Sequence, residues 1–249
     1  MLLAVDIGNT NIVAALCENG RVKDSVRFET RDKRAKKLLS CFKTAFIEGA
    51  VISSVVPDAD KRVSRAVKEL YGISPLFISS EVLKGILAIK LSNKKEVGAD
   101  RLVNAYAAEK LYGAPSIIVD FGTATTFCAV DRNGAYLGGA IAPGIAISRD
   151  ALHEKTAKLP SVELNFPPSA IGHNTAAAMQ SGILYGYVGI VESIIARFRK
   201  ILGKDAIVIA TGGLAGKISS KTDIIEIVDP DLTLKGLSMI WDRIWKTSR

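Results

Sequence analysis

One pattern occurs twice in this chain, and the constant distance between its parts constrains the fold more than any other feature. The first copy is an apolar run, Leu2 to Val5, broken at Asp6-Ile7-Gly8. A second apolar segment, Ile12 to Leu16, then turns at Glu18-Asn19-Gly20. The second copy runs from Ser116 to Val119, breaks at Asp120-Phe121-Gly122, continues through Phe127 to Val130 and turns at Asn133-Gly134. Asp6 and Asp120, Gly8 and Gly122, Asn19 and Asn133, and Gly20 and Gly134 are all 114 residues apart. Each copy predicts a strand, a glycine turn, a strand and a hairpin. A chance match of one short motif would not bring its hairpin along in register, so the spacing implies internal duplication: two related α/β lobes facing one another across a cleft.

The remaining elements agree with two such halves. Ala50 to Val56, stopped by Pro57, and Ile207 to Ala210, stopped by Thr211-Gly212-Gly213, are short β-branched apolar runs that read as buried parallel strands. Helices are predicted over 61–71, 101–112, 175–200 and 235–245, and an irregular connection over the proline-bearing stretch 158–169. The break at Gly113-Ala114-Pro115 divides the chain into lobes 1–113 and 114–249. With 249 residues, 48% of them hydrophobic, each half has material for its own core.

Composition also narrows the class. No apolar run reaches the roughly 18 residues of a membrane helix, and Met1 to Asp6 has no basic region preceding a signal-like stretch, so a cytoplasmic protein without membrane partners is expected. Cys17, Cys41 and Cys128 lack metal-ligand or disulfide spacing and are expected to be buried thiols. His153 and His173 are too isolated to suggest a metal pair, and Trp241 and Trp245 suggest one buried helical face. The formal net charge of +8 raises the question of nucleic acid. Its densest run, Arg31 to Lys37, contains Asp32, lacks interleaved aromatics and reads as the solvated face of an amphipathic helix. No nucleic-acid partner is expected; an attraction for small anions fits the charge equally well.

Glycine turns after buried strands suit polyanions, because successive backbone N–H groups can grip phosphate oxygens. Gly8-Asn9-Thr10-Asn11 and Gly122-Thr123-Ala124-Thr125-Thr126 are two such turns, each preceded by a carboxylate at a strand end, Asp6 or Asp120. With Thr211-Gly212-Gly213 they resemble the phosphate, phosphate and adenosine segments of the superfamily of actin-like ATPases, sugar kinases and heat-shock chaperones. Further motifs follow in order: Glu96-Val97-Gly98-Ala99-Asp100-Arg101, Gly138-Gly139-Ala140-Ile141-Ala142-Pro143-Gly144 and Thr156-Ala157-Lys158-Leu159-Pro160. Together with Asp6 to Asn11 and Asp120 to Thr126, this series resembles the type III pantothenate kinases from residue 6 to about residue 237. The resemblance implies an α/β, duplicated actin-like (ribonuclease H-like) fold with two lobes around an ATP cleft. It also implies ATP-dependent phosphorylation of pantothenate to 4′-phosphopantothenate, the first step of coenzyme A synthesis.

It further implies roles for individual residues. Asp6, Ile7, Gly8, Asn9, Thr10, Asn11, Ile12 and Val13 would form the first ATP loop, with Thr123, Gly212 and Gly213 as further nucleotide contacts. Gly98, Ala99, Asp100, Arg101 and Thr175 would meet pantothenate, Thr175 across a homodimer interface. Asp100 would accept the hydroxyl proton, and Arg101 would supply positive charge to the substrate carboxylate or the moving phosphoryl group. Asp6 would orient magnesium through water, and Asp120 would hold the potassium or ammonium ion on which the family depends. Plain structural roles remain open beside these: helix caps for Asp100 and Thr175, strand-end capping for Asp6 and Asp120. Gly139 to Gly144 is expected to be a flexible apolar loop. Many relatives carry an aromatic residue and then Asp-Asn-Pro before Gly-Ala-Asp-Arg, whereas this chain has Lys90-Leu91-Ser92-Asn93-Lys94. Weaker or altered substrate binding at Leu91 is therefore expected. The rival to catalysis is a silent regulatory homologue related to transcription accessory factors.

Overall fold

The computed structural model describes residues 1–247, with side chains up to Trp245. In chain order the elements are β1 (Leu2–Ile7), β2 (Asn11–Glu18), β3 (Arg21–Glu29), α1 (Ala35–Leu39), β4 (Gly49–Ser54), α2 (Pro57–Tyr71), β5 (Leu76–Phe77), α3 (Ala99–Tyr112) and β6 (Ser116–Phe121). They continue with β7 (Ala124–Val130), β8 (Tyr136–Pro143), α4 (Ile145–Lys155), α5 (Thr175–Leu202), β9 (Ile207–Thr211), α6 (Ala215–Ser219), β10 (Ile227–Val228) and α7 (Leu232–Thr247). Two five-stranded mixed sheets result, ordered β3-β2-β1-β4-β5 and β8-β7-β6-β9-β10. Renumbered within its own half, the second order is the first again. β1 and β6 lie centrally, each antiparallel to the strand that follows it and parallel to β4 or β9.

The repeat is not perfectly uniform. Ile7 pairs with Ile12 in the first sheet, enclosing Gly8–Asn11, whereas Phe121 pairs with Thr125 in the second, enclosing only Gly122–Ala124. The second turn is one residue tighter, and the offset of 114 is recovered before the next turn. Asn19 and Gly20 both have positive φ, 51° and 73°, which suits the twist of a hairpin; in the second copy only Gly134 does, at 74°.

In the first unit one face of the sheet carries Leu3, Val5 and Ile7 against Ala59, Val63 and Val67 of α2 and Leu39 of α1. Helix α2 begins at Pro57, four residues before the predicted start. Proline suits the first helical position because its missing N–H would be unpaired there, and Asp58 and Asp60 favour the positive helix end. Gly72, at φ 71°, closes that helix. In the second unit Ile117, Val119 and Phe121 pack against Met179, Leu184 and Val191 of α5 and Ile218 of α6.

The chain divides at Tyr112/Gly113, but two later segments return to the first unit: Gly134–Tyr136 and the C-terminal part from Asp231. The division at 113/114 therefore misplaces α7. Gly49 at the start of β4 leaves room for the Trp241 ring where a Cβ would stand, and Gly236 brings α7 against Val103 and Ala107 of α3. Trp245 stacks on Trp241 with centroids 5.3 Å apart, yet it is 46% exposed, so only part of the expected tryptophan face is buried. Gly139 to Pro143 lies in edge strand β8 rather than in a loop. Its alternating burial supplies the strand period, and the edge tolerates proline because no further strand requires its N–H. Among the thiols Cys17 and Cys128 are buried, but Cys41 is exposed.

Two outcomes follow. Gly49→Ala must displace the Trp241 ring and should cost about 1–3 kcal/mol, read as a lower urea midpoint; an unchanged midpoint would contradict this packing. A thiol reagent at pH 8 should modify Cys41 first, because burial and the nearby Asp231 and Asp242 charges push the Cys17 thiol up to about 12. Rapid labelling of Cys17 in the folded protein would contradict that assignment.

Candidate active site

The first glycine turn is braced from behind. Gly8 donates its N–H to the Asn11 carbonyl (3.0 Å), and Thr30, just beyond β3, makes two further bonds. Its N–H reaches the Thr10 carbonyl (2.9 Å) and its hydroxyl reaches the Gly8 carbonyl (2.6 Å). Arg62 of α2 in turn donates from Nη2 to the Thr30 carbonyl. Asn9 and Thr10 are exposed at the tip, with Gly8, Asn11 and Val13 half-buried. Ile7 and Ile12 are wholly buried and anchor the turn in the core, so their side chains cannot be ligand contacts. Thr30 and Arg62 were not singled out in the sequence, because nothing local marks a brace that spans 22 and then 32 residues.

Both strand-end aspartates face a hydroxyl residue on the neighbouring parallel strand. Asp6 is in register with Ser53 and Asp120 with Thr211. The buried Ser53 hydroxyl has no partner among the described residues, an unused hard oxygen donor beside Asp6. Gly212 has φ 90°, and a Cβ there would lie 2.7 Å from both Asp120 Oδ1 and the Phe121 backbone. Only glycine combines that conformation with that approach. Gly213 faces open space. Gly144, at the head of α4, packs directly on the backbone of the Gly122–Thr123 turn, which leaves Gly122 exposed and Thr123 half-buried. Asp120, Gly122, Thr123 and Gly212 are thus neighbours in the second unit. Among the described residues no three His, Cys, Asp or Glu side chains form a metal cage. The oxygen donors at Asp6 and Asp120 suit hard cations that take their remaining ligands from water and phosphate.

In the first unit a 3-10 turn, Lys94–Glu96, leads to Gly98. Asn93 caps it by accepting from Lys95 N–H (3.2 Å), while its amide donates to the Glu96 carboxylate (2.6 Å). Helix α3 starts at Ala99, so Asp100 belongs to its first turn and is not its cap. Asp100 Oδ1 accepts from the Arg101 N–H (2.8 Å) and folds back over Gly98, where a Cβ would collide with it. Burial raises the Asp100 pKa above the ordinary carboxylate value; the Arg101 hydrogen bond and positive charge offset that only partly. Gly98 and Ala99 line a cavity of about 570 Å³ with Ser54, Val55, Ser79 and Lys95. Its size suits a small molecule, and its mixed lining offers both apolar contact and polar anchors.

The Arg101 guanidinium lies 5.8 Å from the centre of the Tyr136 ring. Tyr136 is fully buried; its N–H donates to the Ala88 carbonyl (2.8 Å) and its carbonyl accepts from Lys90 (2.9 Å). This ring was missed in the sequence, where the only hint was an aromatic residue two positions after Asn133-Gly134. At the other predicted site Asn174 caps α5, its side chain accepting from Ala177 N–H (2.8 Å). Thr175 is therefore not the cap. It is exposed and lines an apolar groove of about 540 Å³ with Leu152, Met179, Gly182, Gly186 and Tyr187.

The duplicated sheets, each with a carboxylate and a glycine turn ending its central strand, give the two-unit fold shared by actin-like ATPases and sugar kinases. The profile of the type III pantothenate kinases matches residues 2–197, and the chain belongs to that family. Solved structures share the fold at low identity. A Campylobacter jejuni protein assigned to the Baf family of transcriptional activators is 18% identical with a TM-score of 0.65, covering 98% of this chain and 99% of that one. The Clostridium difficile activator of 2-hydroxyisocaproyl-CoA dehydratase, solved with ADPNP, is 14% identical with a TM-score of 0.56, covering 99% and 96%. A Sinorhizobium meliloti protein assigned as a 2-dehydro-3-deoxygalactonokinase is also 14% identical, with a TM-score of 0.58 and coverage of 98% and 99%.

The raised pKa of Asp100 has a consequence for stability. Between the ordinary carboxylate pKa and the raised one, the folded protein holds a proton that the unfolded chain has lost, so stability falls as pH rises through that window. Asp100→Asn should therefore raise the unfolding midpoint at pH 7, and the gain should shrink as pH is lowered towards the ordinary carboxylate range. A variant less stable than wild type at pH 7 would show that the ionised carboxylate is well stabilised where it lies.

Proposed function

We propose that this protein transfers the γ-phosphoryl group of ATP to the primary hydroxyl of pantothenate, giving 4′-phosphopantothenate and ADP. The observation carrying this reading is the desolvated carboxylate of Asp100, next in sequence to the Gly98-Ala99 wall of a small-molecule cavity and within the Gly-Ala-Asp-Arg motif. A carboxylate with a raised pKa is a better proton acceptor than an exposed one. In the proposed step the substrate hydroxyl oxygen bonds to the γ-phosphorus as Asp100 takes its proton. The bond from that phosphorus to the bridging β–γ oxygen breaks, and ADP leaves with the electron pair. Arg101, positioned over Tyr136, supplies positive charge to the substrate carboxylate or the moving phosphoryl group.

In this reading the turn from Asp6 to Val13 holds nucleotide phosphate through its backbone, Thr123 adds a contact, and Gly212 and Gly213 leave space for adenosine. Asp6, beside the unpartnered Ser53 hydroxyl, would hold magnesium through water, and Asp120 would hold potassium or ammonium. Those cations would neutralise phosphate charge. A homodimer joined along the apolar groove that includes Thr175 completes the proposal. Its support is the open row of Gly182 and Gly186, where added Cβ atoms would meet nothing, beside Ile190, 37% exposed.

Product formation from ATP, pantothenate and magnesium, assayed with and without potassium, tests the reading. Potassium-dependent 4′-phosphopantothenate that falls at least a hundredfold in Asp100→Asn is expected. Retained ATP binding with no product under any cation would overturn it in favour of a regulatory role. The Leu91 position gives a separate outcome: Leu91→Tyr should lower the Michaelis constant for pantothenate, and equal constants would exclude a role for that position.

A further inference from the structure

Behind the first glycine turn lies another cavity, about 320 Å³, lined by Lys33, Lys36, Asp58, Lys61, Arg62, Arg65, Ala66 and Glu69. Five cationic side chains converge there against two carboxylates. Glu69 is already engaged by Lys36 at 2.7 Å, and Asp32, whose charge also acts on Arg62, is paired with Arg34 at 2.7 Å. The exposed side chains of Lys33, Lys61 and Arg65 make no hydrogen bond or close ion pair among the described residues, although Arg65 lies near enough to Glu69 to lower its pKa. The Arg31–Lys37 run is accordingly not a helical face: α1 starts only at Ala35, and Lys33 joins a concave cluster completed by α2. Like charges gathered in a hollow repel one another and are relieved by a bound anion, whereas a stripe spread along a convex surface is relieved by solvent.

We propose that this hollow binds a compact, multiply charged anion of the di- or triphosphate class, and that its occupancy weakens nucleotide binding at the Gly8 turn. The coupling runs through Arg62. Its guanidinium lines the hollow and donates from Nη2 to the Thr30 carbonyl, while its buried Nε has no partner among the described residues. An arginine with one donor orphaned is poised to exchange a single carbonyl for a charge-assisted, two-point contact with phosphate oxygens. Thr30 holds the carbonyls of Gly8 and Thr10, so drawing Arg62 into the hollow removes the support of the brace. By linkage, nucleotide at the turn and anion in the hollow disfavour one another by the same factor. The coupling rests on the nucleotide reading of the Gly8 turn; anion binding in the hollow does not.

The test uses inorganic tripolyphosphate and binding measurements alone. With the full-length protein saturated by a non-hydrolysable ATP analogue, calorimetry should detect one further tripolyphosphate site, weakened at least tenfold in Lys61→Gln/Arg65→Gln. The thermal midpoint and analogue affinity of that variant, measured without tripolyphosphate, should match wild type. Tripolyphosphate should raise the apparent analogue dissociation constant at least threefold more in wild type than in the variant, where it acts only as a direct competitor. No further site, or equal uptake by wild type and variant, would overturn the anion site. Equal shifts of analogue affinity would overturn the coupling. A protein that takes up tripolyphosphate in the hollow but binds no analogue at all would contradict the nucleotide reading instead.

Discussion

Withdrawing a carboxylate from solvent opposes folding, and the first unit accepts that cost at the half-buried Asp100. The carboxylate could be carried into solvent on the first turn of α3; instead it folds back over Gly98, held by the N–H of the next residue. Several surrounding choices make sense only in that light. Gly98 must lack a Cβ, Asn93 caps the turn that delivers it while its amide donates to Glu96, and the guanidinium of Arg101 is held near Tyr136. A charge kept in a poorly solvated position is unfavourable for the apo fold and useful for proton transfer, a trade-off expected where activity rather than stability has been selected.

The strand-end aspartates obey a related logic. β1 and β6 are buried among their neighbours until the position of Asp6 or Asp120, and the chain then turns sharply at glycine. Each carboxylate emerges beside a hydroxyl on the adjacent parallel strand, Ser53 or Thr211, so the two halves repeat a chemical arrangement as well as a topology. Their differences are as informative. The tighter second turn is covered from behind by Gly144, whereas the longer first turn is tied to Thr30 and Arg62. A brace made of a side-chain relay is easier to release than one made of packed backbone, and the proposed anion coupling acts through that relay.

Most of the sheet framework was legible because strand burial leaves a local record. The runs at Ile117–Val119 and Ile207–Ala210 contain nothing polar, and the offset of 114 exposes the repeat directly. The motif residues around Asp100 were legible too, since small residues, an acid and a base in sequence carry a recognisable chemistry. Contacts between distant residues left no such record. The return of α7 rests on Trp241 lying where a Cβ of Gly49 would be, and neither residue announces the other. Tyr136 and Thr30 were overlooked for the same reason. Gly139 to Gly144 reads as a loop because its glycine and small residues mask a burial alternation that only pairing in β8 reveals. Basic residues 31–37 were read by helical period, but the helix proved to be five residues long, too short to impose one.

The central claim is that a desolvated Asp100 serves as proton acceptor for pantothenate, and the pH dependence of kcat/KM for pantothenate at saturating magnesium-ATP tests it most directly. Activity should rise with pH through an inflection above the ordinary carboxylate range, and the residual activity of Asp100→Asn should lack that inflection. An inflection retained in the variant, or one at the ordinary carboxylate value, would contradict the account.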